Sequence, residues 1–466
     1  MPLTSLEDLV TPSVRLGVTG LARAGKTVFI TALVRNLVQG GRLPFFSPSA
    51  ERRLSAAYLE PQPDDDVPRF DYEAHLAALA ADPPEWPQST RHVSQLRVTV
   101  EFQSTSFLRR QFGTGKLHID IVDYPGEWLI DLGLIDTTWQ AWSAATLALV
   151  RAPHRRAQAG PLLAALDALD PHAPQDEAQA RRAAAAYTRF LGEIRAAEPG
   201  LSTLGPGRFL MPGDLAGSPL LTFAPLPVVP DLAVARGSLA ALMERRFESY
   251  KSHVVLPFFR DHFSRLDRQI VLVDALHAVD SGARAVEELT AALEACLKAF
   301  RPGRAHWLSL LLGRRIDRVL FAATKADHLH HTSHDRLEAV LGMMTRRAAD
   351  RAAFAGAEIG VLALAALRAT RETEARQDGE RLACIAGVPL PGERIGSVVF
   401  DGRRETVIFP GDLPADPATA LDLAGSFQIA RFRPPRIRDS AGGADTVWPH
   451  IRLDRALEFL LGDRLA

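Results

Sequence analysis

Gly20-Leu21-Ala22-Arg23-Ala24-Gly25-Lys26-Thr27 fits the spacing GxxxxGK[ST] at every fixed position. Glycines let the backbone come close to an anion. The N–H groups of Ala22, Arg23, Ala24, Gly25 and Val28 then face it, together with the positive end of a following helix. In such a loop Lys26 reaches the β- and γ-phosphates of a nucleoside triphosphate, and the Thr27 hydroxyl ligates Mg²⁺. The mechanism needs a strand before the loop and a helix after it. Arg15–Thr19 is a short apolar strand pattern ending at Gly20, and VFITALVRNLV after Thr27 keeps its apolar residues on a helical period until Gly40-Gly41.

Asp123 closes the strand-like run KLHIDIV, and Gly126 completes DxxG. An acid at that strand end holds a Mg²⁺-bound water, while the Gly126 N–H registers a γ-phosphate. Glu127 follows, where small GTPases often carry a water-orienting Gln. Thr90 precedes the strand LRVTVEF, a position from which a loop threonine closes over Mg²⁺. Thr324-Lys325-Ala326-Asp327 ends the apolar run RIDRVLFAA. A carboxylate there accepts from the N1–H and the exocyclic amine of guanine, whereas adenine offers it an acceptor at N1. Lys325 packs its stem along the base. One strand further on, GVLALAA leads into Ala365-Ala366-Leu367, a weak match to a turn whose backbone N–H contacts the guanine oxygen, with Ala where Ser is usual.

The chain that must position these residues has 466 of them, too many for one ordinary core. With 47% hydrophobic and 23% charged residues it has the balance of a folded soluble protein. A formal charge of −1 argues against an overall nucleic-acid footprint. Only Cys296 and Cys384 are present, and neither has metal-ligand or disulfide spacing, which fits a reducing compartment. The first 20 residues lack a secretory pattern and no run is long enough to span a bilayer, so the expected location is cytoplasmic, open to peripheral contact with the inner membrane.

Alternating strand and helix patterns predict an α/β fold, with a mostly parallel sheet flanked by helices. Residues 1–150 and 267–375 carry the phosphate and base motifs and read as two parts of one nucleotide-binding domain. Residues 151–266 read as a mainly helical insertion, and 376–466 as a β-rich addition closed by a helix. TLALV, after Ala145, reads as a strand, and the Pro-rich stretches PQPDDDVPRF and ADPPEWPQST read as connectors. His328, His330, His331 and His334 cluster after the TKAD element. Their spacing suits metal ligation, but with no carboxylate or cysteine beside them, solvated histidines at a helix start are the preferred reading. The basic segments RFRPP and RIR read as a solvated face.

RLGVTGLARAGKT, WPQST, LHIDIVDYPGEWL, DRQIVLVDALHA, TKADHLHH and LAALRAT together resemble the YcjX-like family of bacterial P-loop GTPases, along nearly the whole chain. The resemblance implies a fold of the TrmE/Era/septin-like class with an added helical region, GTP and GDP as ligands with Mg²⁺, GTP hydrolysis and an association with envelope stress. Catalytic weight then falls on Lys26, Arg23, Gly126 and Glu127. A carboxylate at Glu127 brings negative charge toward the γ-phosphate and Arg23 offsets it in cis, which predicts slow turnover. The rival expectation is a nucleotide-bound scaffold with little turnover. A protein or membrane partner, or self-association through the insertion, fits either.

Overall fold

The computed structural model describes residues 11–20, 23–88, 92–106, 114–197, 204–229, 234–298, 316–354, 356–377, 379–436 and 448–466. The chain divides into two compact units. The first comprises Met1–Tyr124, Leu266–Glu287 and His306–Ala466; the second comprises Pro125–Arg265 and Glu288–Ala305.

The first unit is built on seven strands: β1 (Ser13–Gly20), β2 (Leu54–Glu60), β3 (Ser94–Phe102), β4 (Gly115–Asp123), β5 (Arg268–Val273), β6 (Arg318–Ala323) and β7 (Glu358–Ala363). Their order is β2-β3-β4-β1-β5-β6-β7. From β4 through β7 neighbouring strands run parallel, and β3 and β2 add antiparallel pairs at one edge. The fold is α/β with a mostly parallel sheet flanked by helices. Parallel strands covered on both faces read as continuous apolar runs, as β1 does, buried from Val14 to Gly20. Leu16, Val18, Ile121, Ile270 and Leu320 share one core with Phe29, Ile30 and Leu33 of the helix Lys26–Val38, and with Leu453, Leu457, Leu460 and Leu461 of the C-terminal helix. Removing any one of these large side chains leaves a cavity costing about 2–5 kcal/mol.

Behind β7 the chain adds β8 (Arg371–Gln377), β9 (Glu380–Gly387), β10 (Arg394–Ile395), β11 (Val398–Val399) and β12 (Thr406–Ile408). β12, β9 and β8 form a three-stranded antiparallel sheet over Ile385, Ile408, Ala430 and Phe432. The second unit is largely helical among its described residues and rests on aromatic packing. Trp142 stacks on Phe247 at 5.3 Å and meets Phe223 and Tyr187 edge-on at 5.5 and 5.9 Å.

Two local readings need correction. TLALV is not a strand: it is the end of the helix Trp139–Val150, whose Thr138 side chain accepts from Ala141 N–H at 3.2 Å. That cap, and burial of Trp139, Trp142, Ser143, Thr146 and Val150 at helical spacing, override the strand preference of a short apolar run. PQPDDDVPRF and the described part of ADPPEWPQST are connectors as read, and beside them the structure adds β2 and the helix Tyr72–Ala80, capped by Asp71. Ser238 to Asp267, whose amphipathic period predicts one helix, is not a single helix. It changes to a wider turn over Lys251–Val255, just before Pro257, which has no N–H to continue the ladder. Among the described residues no helix is long and apolar enough to cross a membrane.

Candidate functional site

β1 lies between β4 and β5; the chain leaves it for β2 at one edge of the sheet, and after β4 it crosses to β5 on the other side of β1. Such a switch point opens a crevice at the carboxyl ends of the strands, where ligands of open α/β sheets bind. Gly20 ends β1, Asp123 ends β4, Asp274 follows β5, Thr324–Asp327 follow β6 and Ala365–Leu367 follow β7. The motifs are therefore lined along one end of one sheet.

Gly20 packs so closely that a Cβ would lie 2.7 Å from the Leu272 carbonyl oxygen. Gly25 turns the chain into the helix Lys26–Val38 at φ 85°, a left-handed conformation that costs glycine nothing, and a Cβ there would meet open space. Arg23 is exposed and also left-handed, at φ 64°. Lys26 donates to the Gly20 carbonyl at 2.9 Å, so its ammonium lies over the loop it belongs to. Thr27 is buried at the helix start, its hydroxyl 3.4 Å from the Gln88 carbonyl. Asp123 is buried, laddered opposite Val18 of β1 and Ser94 of β3. Ala22 and Thr90 lie outside the described residues.

At the base end, Lys325 holds φ 58°, a strained position for a residue with a side chain, of the kind concentrated at functional sites. Its ammonium pairs with the Asp274 carboxylate. Burial pushes the Asp274 carboxyl up, but the Lys325 charge and hydrogen bond outweigh it and hold the group below the ordinary range. Asp327 is 4% exposed. Its Oδ2 accepts from Ala369 N–H at 2.8 Å, and its carbonyl accepts from the Thr370 hydroxyl. Ala326 N–H donates to the Leu364 carbonyl at 3.2 Å, tying the TKAD turn to the end of β7. Ala366 and Leu367 are buried in the loop beyond. Asp274 went unremarked in the sequence; its signal was a strand-end acid that also caps the helix Ala275–Asp280.

The histidines split. His328 lies edge-on to Phe432 at 5.3 Å, and His334 Nε2 donates to the Ala326 carbonyl at 2.8 Å. Burial lowers the pKa of both, so both are neutral packing groups rather than solvated ones. His330 and His331 instead meet Glu372, the carboxylate that sequence spacing did not reveal.

Gly126 and Glu127 belong to the second unit. The Glu127 carboxylate pairs with Arg195 at 2.7 Å. Next to it Trp128 carries the Arg208 guanidinium 3.1 Å over its ring and donates to the Met211 carbonyl at 3.2 Å. Asp131 is buried, accepting from Tyr250 Oη at 2.5 Å and Gly207 N–H at 2.7 Å. Burial pushes its carboxyl up to about 6 despite those hydrogen bonds. The segment after DxxG is thus fastened to the insertion by three successive side chains.

A model described as the YcjX-like family, DUF463, matches residues 14–465. The chain belongs to this family. It is 40% identical over 462 residues to the Ras-like GTPase YcjX of Escherichia coli (strain K12), covering 97% of this chain and 96% of that protein. It is 33% identical over 474 residues to the Ras-like GTPase YcjX of Shewanella oneidensis, covering 97% and 94%. The matched residues include those of both compact units.

Proposed function

We propose that the chain binds GTP with Mg²⁺ and hydrolyses it slowly to GDP, acting as a switch. The observation that carries this is the alignment of the phosphate loop, Asp123, Asp274 and the TKAD element along one end of a parallel sheet. Both relatives above bear the name Ras-like GTPase. The donor set suits the ligand: Gly20 and Gly25 keep the loop clear of side chains, and Lys26 stands over it. Ala22, Arg23, Ala24, Gly25 and Val28 present N–H groups to the phosphates, and Thr27, Thr90 and Asp123 hold Mg²⁺. The metal, when bound, neutralises charge on the β- and γ-oxygens.

Asp327 and Lys325 select guanine, with Thr324 setting the turn and Ala366 and Leu367 offering backbone N–H groups to the guanine oxygen. Asp274 holds the Lys325 ammonium in the interval between nucleotides. Gly126 senses the γ-phosphate, and its chain neighbours Glu127, Trp128 and Asp131 pass the change to the insertion. Because Arg195 already holds the Glu127 carboxylate, hydrolysis relies on Lys26 and Arg23 for charge, and turnover is slow. We assign the protein a cytoplasmic, stress-linked role, with the insertion as the surface for a partner, a membrane or a second copy.

Phosphate released from GTP by the purified chain tests this, with Mg²⁺ or a chelator and with or without liposomes. Mg²⁺-dependent release above the blank is the expected result. Tight GDP binding without any release would leave a scaffold, and preference for ATP would end the guanine assignment.

A further inference from the structure

We propose that His330, His331 and Glu372 form a binding site for a divalent transition metal, Zn²⁺ by the chemistry of their donors. One ligand atom from each residue lies within 4.8 Å of the others. His331 Nδ1 is 2.7 Å from Glu372 Oε2, and His330 Nε2 is 3.9 Å from the same oxygen. Zn²⁺ bonds imidazole nitrogen and carboxylate oxygen at about 2.0–2.2 Å, which places tetrahedral ligand atoms about 3.3 Å apart. The three groups bracket that spacing, so side-chain rotations of an ångström or so suffice.

The surroundings orient the donors as metal sites require. Thr332 Oγ1 lies 3.1 Å from His330 Nδ1, which leaves Nε2 facing the carboxylate. Arg368 Nη2 lies 3.2 Å from Glu372 Oε1, which leaves Oε2 to the two imidazoles. The ring centroids are 4.3 Å apart and the planes tilted by 39°, which keeps the two imidazoles side by side at the carboxylate. Two imidazoles and one carboxylate suit zinc, whereas Mg²⁺ takes oxygen ligands. The ion held here is therefore distinct from the one at the phosphates. Three protein ligands leave a fourth position for water.

The position gives the site a purpose. His330 and His331 follow Asp327 in the base loop, and Glu372 lies in β8, two residues after Thr370, whose hydroxyl donates to the Asp327 carbonyl. A metal at the three side chains fastens the base loop to the first strand of the β addition. That consequence rests on the guanine assignment; the metal site does not.

The test uses untagged full-length chain without nucleotide. Zn²⁺ uptake is read by competition with a chromogenic chelator, and Co²⁺ substitution by the visible absorption of a tetrahedral site. The same measurements follow on His331→Ala and Glu372→Gln. His331 is exposed and the Glu372 change is conservative, so both variants fold, as circular dichroism verifies. One equivalent of Zn²⁺ is expected, bound at least about tenfold more weakly by each variant and undisturbed by excess Mg²⁺. Absence of saturable uptake by the unaltered chain, or uptake by both variants as tight as that of the unaltered chain, overturns the site.

Discussion

Asp327→Asn tests base recognition at the atom level. Ala369 N–H already occupies Oδ2 of the carboxylate at 2.8 Å. An asparagine must give its carbonyl oxygen to that N–H, because an amide NH₂ there would set donor against donor. Its NH₂ then faces the base. Guanine presents N1–H and an exocyclic amine, so two charge-assisted hydrogen bonds, each about 1.5–3 kcal/mol, are replaced by opposed donors. The expected loss for GDP is about 3–6 kcal/mol, or roughly 10²–10⁴-fold in Kd. Xanthine keeps N1–H but presents a carbonyl where guanine has its amine, so XDP should gain one neutral hydrogen bond from the amide, about 1 kcal/mol, and be preferred over GDP by the variant. Calorimetric titration of both proteins with GDP, XDP and ADP measures each term. A variant that keeps GDP affinity, or loses it without gaining XDP, would refute both the base assignment and the orientation set by Ala369.

Lys26→Ala should weaken GTP and GDP by at least about 10²-fold, the loss of a charge-assisted phosphate contact, while circular dichroism stays unchanged, since among the described residues the ammonium hydrogen-bonds a loop carbonyl, that of Gly20, and no core group. Arg23→Ala should slow single-turnover hydrolysis more than Glu127→Gln, because the Glu127 carboxylate is already committed to Arg195; the reverse order would move the catalytic weight to Glu127. The Asp131 carboxyl has its folded pKa raised from 3.8 to about 6, so the stability it contributes is complete below about pH 4 and is lost as pH rises through 6. A shift of about 2 units corresponds to about 3 kcal/mol. Urea unfolding of the unaltered chain and Asp131→Asn, followed by tryptophan fluorescence at about pH 4 and about pH 8, should show the two stabilities diverging by that amount. An unchanged difference at the two pH values would place the Asp131 carboxylate in the folded state as an ion.

The sheet and its strand-end motifs were legible because their signals are local. RLGVTG followed by a helical period announces a strand, a loop and a helix, and RIDRVLFAA can only be a buried strand running into TKAD. TLALV misled because five apolar residues carry no period of their own; Thr138, eight residues upstream of Thr146, decides the matter by capping the helix. What no local pattern reports is pairing across distance. Asp274 meets Lys325 from 51 residues away, His331 meets Glu372 from 41, and Glu127 finds Arg195 in the helix Glu177–Ala197. Those partners are chosen by the fold, after the sheet has brought the strand ends together.

The first unit is assembled from three separate stretches of chain, with unit two's main stretch, Pro125–Arg265, between them. During synthesis this imposes an order of events. β1 emerges early, yet its neighbour β5 begins at Arg268 and the base loop arrives only near Asp327. At about 5–20 residues per second, roughly 15–60 s separate Gly20 from Asp327 on the ribosome. The stretch Pro125–Arg265 emerges while the nascent sheet waits with one edge of β1 unpaired, a state exposed to aggregation and chaperone capture. Leu453, Leu457 and Leu460, which complete the sheet's core, emerge later still. A chain that stops short of Asp327 therefore holds the phosphate loop without the TKAD turn.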